Sequence, residues 1–261
     1  MSAMFEADGA LLVPGELARG PWSDTALHGG PVAGLLARAV ERLDPERALR
    51  ITRLTVDLLR PAPFAALRVE TTAERAAGRV HVIRAAVMAG DDVVSLGMAC
   101  SIVARPVELP DDLVDVPPPD RPEDGELDFT TSMGDEVIRF HTHAFEVRTV
   151  FGSFAAPGPA AFWGRLRVPL VAGEETSPAQ RAAITADITG MGNVLPRRKY
   201  AYPNADVELR LHREPEGAWI RGDCTSEVGP LSAGINHAIL ADRRGNVGRA
   251  SQTMVVSRQD R

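Results

Sequence analysis

A chain of 261 residues, 44% hydrophobic and 25% charged, has the make-up of a globular protein able to bury one large core or two smaller ones. Its net charge of -6 argues against a general nucleic-acid surface, and Cys100 and Cys224 are too few and too far apart for a disulfide framework or a metal-binding pair, which points to a reducing, cytoplasmic setting. No segment approaches the roughly 18 apolar residues of a membrane span, and the N-terminus, "MSAMFEADGALLV", lacks the basic-then-apolar order of a signal peptide.

The first strong signal is "HGGPVAGLLARAVERL", where Val32, Leu35, Leu36, Ala39, Val40 and Leu43 recur at helical spacing, a stripe for burial against a sheet. Pro31 falls where a first helical turn tolerates it. Strand-like runs follow in "RITRLTVDLLRP", "ALRVETTAER", "RVHVIRAAVMAG" and "VVSLGMACSIVAR", parted by the turn signals "AAGR" and "AGDD". The character then changes. From Pro106 to Glu126 proline and acidic residues replace apolar periodicity, which suits an extended connection.

Beyond it the order recurs. Ser177 and Pro178 open a helix through "AQRAAITADITGMGNVL", and the strand-like runs "NADVELRLHREP", "AWIRGDCTSEV", "GINHAILADRRGN" and "VGRASQTMVVSR" follow. Matching Arg60 with Arg213 aligns "LTVDLLRP" with "VELRLHREP", and the ends align Arg105 with Arg258. One duplicated unit explains both halves: a repeat at 1–105, an acidic, proline-rich linker at 106–136 and a second repeat at 137–261. Each unit reads as a helix wrapped by an antiparallel sheet, the hot-dog arrangement. The expected fold is therefore α+β, a double hot dog whose two sheets join edge to edge.

The segments "GPWSDTALHGG", "HGGPVAGLLARA", "FWGRLR", "ADITG", "PNADVELRLHREPEGAWI" and "GRASQTMVV" together resemble acyl-CoA thioesterases of the double hot-dog type, the thioesterase II-like family. The resemblance spans nearly the whole chain and is strongest from Trp163 to Arg258. It implies hydrolysis of an acyl-CoA thioester, with no metal or other cofactor. It also implies a catalytic trio in the second half, which by position is Asp187, Asn204 and Gln252. The family pattern carries a threonine where Asn204 stands, although an amide can also donate and accept hydrogen bonds.

This assignment makes chemical sense: a thioester is already activated, so hydrolysis needs a base, an aligned water and stabilisation of an oxyanion. Asp187 would take the proton, Asn204 and Gln252 would orient the water, and backbone N–H groups at "HGG", His28 to Gly30, would face the carbonyl oxygen. The basic run "PRRKY" offers Arg197 and Arg198 to a coenzyme A phosphate, or else the solvated end of a helix. "HTH" at His141 to His143 would put two imidazoles on one face of a strand, a surface pair without a third metal ligand. "GMGN" ends a helix rather than opening one, so it is no dinucleotide fingerprint. Two other readings stay open: a non-catalytic acyl-CoA binder, and an enoyl-CoA hydratase or dehydratase using His28. The fused halves would fold as one unit, with further association into a homo-oligomer also open.

When the repeats are aligned from Arg105 and Arg258, Gln252 meets Ala99 and Asn204 meets Ile51, and the first helix carries no acid before Glu41. Only the second copy should then hold a working site.

Overall fold

Helix α1 (Gly29–Glu41) begins at the predicted place in the computed structural model, which describes residues 3–259 apart from 22, 45, 47, 114, 129–138, 155 and 198. His28 caps it, its Nδ1 accepting the Gly30 N–H. The apolar stripe is only part of what α1 buries. Every residue from Gly30 to Val40 is buried, including Ala33, Gly34 and Ala37, whereas Leu43 lies beyond the helix and is exposed. The reason is a second helix, α2 (Pro178–Ile188), which covers the face that one sheet alone would have left in water.

The strands in chain order are β1 (Phe5–Asp8), β2 (Leu11–Pro14), β3 (Leu49–Leu58), β4 (Arg68–Ala77), β5 (Val80–Ala89), β6 (Asp92–Val103), β7 (Glu126–Asp128), β8 (Phe145–Phe151), β9 (Ala160–Leu166), β10 (Tyr200–Ala201), β11 (Asp206–Leu211), β12 (Ile220–Val228), β13 (Ala233–Ala241), β14 (Asn246–Val255) and β15 (Ser257–Arg258). Eleven of them form one antiparallel sheet in the order β4-β5-β6-β3-β11-β14-β13-β12-β9-β8-β7. The halves join at β3 and β11, where Leu54 pairs with Leu209 and Val56 with Val207. This is the double hot dog.

Pairing register carries the duplication into three dimensions. Ile83 pairs with Ala99 as Asn236 pairs with Gln252, and Thr55 pairs with Met98 as Glu208 pairs with Ser251. Each shift equals the interval from Arg105 to Arg258. Buried side chains of both halves make one continuous core.

Three elements depart from the sequence pattern. Helix α2 stops at Ile188, short of the Leu195 expected, and a 3-10 turn (Thr189–Met191) follows where Gly190 and Gly192 weaken helix propensity. Within the acidic, proline-rich stretch, Asp120 accepts from the Trp163 indole (2.7 Å) and from Arg221, and Glu126–Asp128 adds the edge strand β7. Charge pairing therefore lays this stretch on the second repeat, a long-range effect that composition does not carry. The "HTH" run is a single π-helical turn (Phe140–Ala144) leading into β8, not a strand. Its first N–H, from Phe140, bonds the Arg19 carbonyl (3.0 Å), so a tertiary contact sets the local conformation.

Candidate active site

Small residues let α1 and α2 approach closely. Ala179, Ala182, Ala183 and Ala186 are buried in α2, and a side chain at Gly34 of α1 would collide with Ile184 and Leu170. The helices run antiparallel, so the C-terminal end of each meets the N-terminus of the other. At one end this places Asp187 of α2 against His28 and Gly29. A Cβ added to Gly29 would stand 2.8 Å from Asp187 Oδ1 and 2.9 Å from Oδ2.

The carboxylate is almost sealed, with a side chain 3% exposed. Asn204 Nδ2 donates to its Oδ1 (2.8 Å), and His28 Nδ1 lies 2.9 Å from its Oδ2. The partial positive charge at the start of α1 also faces it. Together these offset the cost of burying an acid. Gln252 Nε2, from β14, donates to the carbonyls of Ala186 (3.1 Å) and Asp187 (3.0 Å). The structure thus gathers Asp187, Asn204 and Gln252, and the two amide nitrogens hold the aspartate and its backbone.

These groups line a cavity of about 620 Å³ whose walls are otherwise mainly apolar, with Leu58, Ile188, Met254 and the exposed Leu59 and Val255 among them. His28 and Gly29 line it too, while Gly30 is buried and packs toward the Ile184 carbonyl. Arg197 forms part of the wall, its guanidinium 3.4 Å from the Phe154 ring centroid and its Nε donating to the Phe154 carbonyl (3.1 Å). Arg198 lies outside the described residues. On another face of the sheet a groove of about 660 Å³ carries Glu208, Arg210 and Arg249, and it contains no member of the trio.

Sequence reasoning missed His141. Far from a surface position, it is 4% exposed and lines the cavity beside His28, with ring centroids 6.1 Å apart, while Phe140 packs on His28 at 4.5 Å. Only the aromatic at Phe140 hinted that this run faces inward. Burial first, then repulsion from His28, Arg139, Arg197 and His143, holds the His141 pKa down at about 3. Above pH 6.5 the imidazole is neutral in both folded and unfolded chains and pH has no effect through it. As pH falls from about 6.5 toward 3 only the unfolded chain takes up the proton, so stability falls by up to about 1.4 kcal/mol per unit. Urea titrations across that range should show His141→Phe losing less stability on acidification than the native chain. An identical slope in both would remove His141 as the cause.

The other end of the helix pair carries the first copy's counterpart of this site. Glu41 of α1 accepts from the Ser177 hydroxyl (2.7 Å) and from Gln180 Nε2 (2.7 Å), and so caps α2 as Asp187 faces α1. The space beside it is only about 80 Å³ and is bounded by Ile51, the counterpart of Asn204. Glu41 is half-buried and holds the helices together rather than standing free on the surface. We expect Glu41→Ala to lower stability by about 1–2 kcal/mol while leaving turnover within about twofold, as paired denaturation and rate measurements would show. A larger fall in turnover would place Glu41 in the chemistry.

Among the described residues no three metal-ligating side chains converge, and no helix is long and apolar enough to cross a membrane. An acid and a histidine at facing helix ends, opening on one mainly apolar cavity in a double hot dog, make a site suited to proton transfer beside an apolar group. Family models describe the same chain: the acyl-CoA thioesterase N-terminal domain matches residues 18–102 and the acyl-CoA thioesterase C-terminal domain matches residues 110–256. The chain belongs to the acyl-CoA thioesterase family. Its fold is shared with the tesB protein of Mycobacterium avium (TM-score 0.69, 17% identity, covering 97% of this chain and 96% of that one). It is shared also with the acyl-CoA thioesterase II TesB2 of Mycobacterium marinum (0.65, 17% identity, 89% and 90% covered). A hot-dog protein of unknown function from Alicyclobacillus acidocaldarius is similar as well (0.71, 16% identity, 98% and 96% covered). No curated protein sequence matches the chain.

Proposed function

We propose that the protein hydrolyses acyl-CoA thioesters to free acid and coenzyme A, using a water activated by the carboxylate of Asp187. The observation that carries this reading is the placement of Asp187. It is a buried acid held by Asn204 and His28 on the wall of an apolar cavity of about 620 Å³, a volume within the usual range for small-molecule sites. The apolar walls suit the acyl chain. The Gly29 N–H, a donor at the first turn of α1 where intrahelical acceptors are lacking, suits the thioester oxygen as charge develops there. Arg197, with Arg198, is the cation assigned to coenzyme A's phosphates.

One observation favours a second reading. A histidine 2.9 Å from a carboxylate beside the helix is also what an enoyl-CoA hydratase or dehydratase would use. A panel of acyl-CoAs assayed for release of free thiol, alongside an enoyl-CoA assayed for hydration, separates the two. Thiol release supports hydrolysis, and hydration without thiol release overturns it. Acyl-CoA binding with neither reaction would leave a non-catalytic binder.

A further inference from the structure

We infer that the group that removes the water's proton is His28 Nε2, with Asp187 orienting the imidazole and stabilising its charged form. This rests on the hydrolysis reading and departs from it at one point: Asp187 acts on the water through His28 instead of taking the proton itself. Three observations lead there. First, both oxygens of Asp187 are already engaged, Oδ1 by Asn204 and Oδ2 by His28, and the side chain is 3% exposed, so a water finds little room at the carboxylate itself. Second, the His28 ring lines the cavity with its side chain 11% exposed, and its Nε2 makes no hydrogen bond to the described residues.

The third observation is the position of Nδ1, 2.9 Å from Asp187 Oδ2 and 3.1 Å from the Gly30 nitrogen. Nδ1 cannot serve both neighbours with one proton arrangement. Without a proton it accepts the Gly30 N–H but turns its lone pair on a carboxylate. With a proton it donates to Asp187 and leaves Nε2 as a bare acceptor facing the cavity. The buried negative charge favours the second arrangement. It also frees the Gly30 N–H at the start of α1, where it adds to the positive end of the helix. Phe140, packed on the ring at 4.5 Å, holds its plane.

The steps balance without an added reagent. The water oxygen bonds to the thioester carbon as one of its protons passes to Nε2, and the carbonyl π electrons move onto oxygen beside the Gly29 N–H. Asp187 remains ionised against the imidazolium. Collapse of the tetrahedral intermediate re-forms the carbonyl and breaks the C–S bond, and the proton on Nε2 moves to the departing thiolate sulfur. A carboxylic acid and a free thiol leave, and His28 is neutral again.

The deciding variant is His28→Asn. With its amide nitrogen at the place of Nδ1, the asparagine donates to Asp187 as the protonated ring does, so the carboxylate keeps its partner, but nothing stands where Nε2 was. On an acyl-CoA that the native protein hydrolyses, we expect kcat to fall by about 10²- to 10⁴-fold with KM nearly unchanged and the thermal midpoint close to native. In His28→Ala, added imidazole should restore turnover in a saturable way, which a purely structural role would not produce. A His28→Asn enzyme within tenfold of the native kcat overturns the inference. So does a His28→Ala enzyme that is folded and slow but unmoved by imidazole. Both results would leave thioester hydrolysis standing, whereas a native protein that releases no thiol from any acyl-CoA overturns the hydrolysis reading and this inference with it.

Discussion

Replacing Asp187 by asparagine should lower turnover by about 10²- to 10⁴-fold and leave the fold intact. The substitution keeps the size and planarity of a side chain packed against Gly29, and the new amide oxygen can still accept from Asn204. What disappears is the charge. Without it nothing holds the proton on His28 Nδ1 in preference to the Gly30 bond, and an imidazolium formed in the reaction loses its counter-ion. Stability should change little, because a buried carboxylate costs desolvation that an amide avoids. Steady-state rates on one good acyl-CoA, with urea midpoints measured alongside, test both halves of the expectation. An Asp187→Asn protein that hydrolyses at the native rate would remove the carboxylate from the mechanism.

Gly29→Ala should be the most damaging change to the site among substitutions that favour helix on propensity alone. Alanine exceeds glycine in helices by up to about 1 kcal/mol, so local energetics predict equal or greater stability. The added Cβ, however, would lie 2.8 Å from Asp187 Oδ1 and 2.9 Å from Oδ2, closer than carbon and oxygen can stand. The carboxylate is the part that gives, since it ends a rotatable side chain whereas Gly29 is fixed between the cap and α1. Moving it disturbs the bonds to Asn204 and His28 together. Misplacement on the scale of an ångström costs on the order of a hundredfold in rate, so we expect kcat to fall by about that factor, with the thermal midpoint near native because the disturbed bonds offset the helix gain. Full activity in the alanine variant would show that the close approach of Gly29 to Asp187 does not matter.

The two expectations depend differently on what could be read in advance. The helices, the four strands after each of them and their duplication follow from local spacing: apolar residues three and four apart, alternating runs, and a matching order in the second half. The offset between the repeats was legible too, because two matches, Arg60 with Arg213 and Arg105 with Arg258, give the same interval that the strand pairing keeps. Asp187 was legible as an acid in a run of small residues, and the positions of Asn204 and Gln252 followed from the family's spacing.

The partners of Asp187 were not legible. That His28, read as a supplier of backbone donors, turns its ring onto Asp187 depends on the antiparallel packing of two helices from different halves: the two residues stand 159 positions apart, and no local pattern around either signals a contact that only the tertiary fold creates.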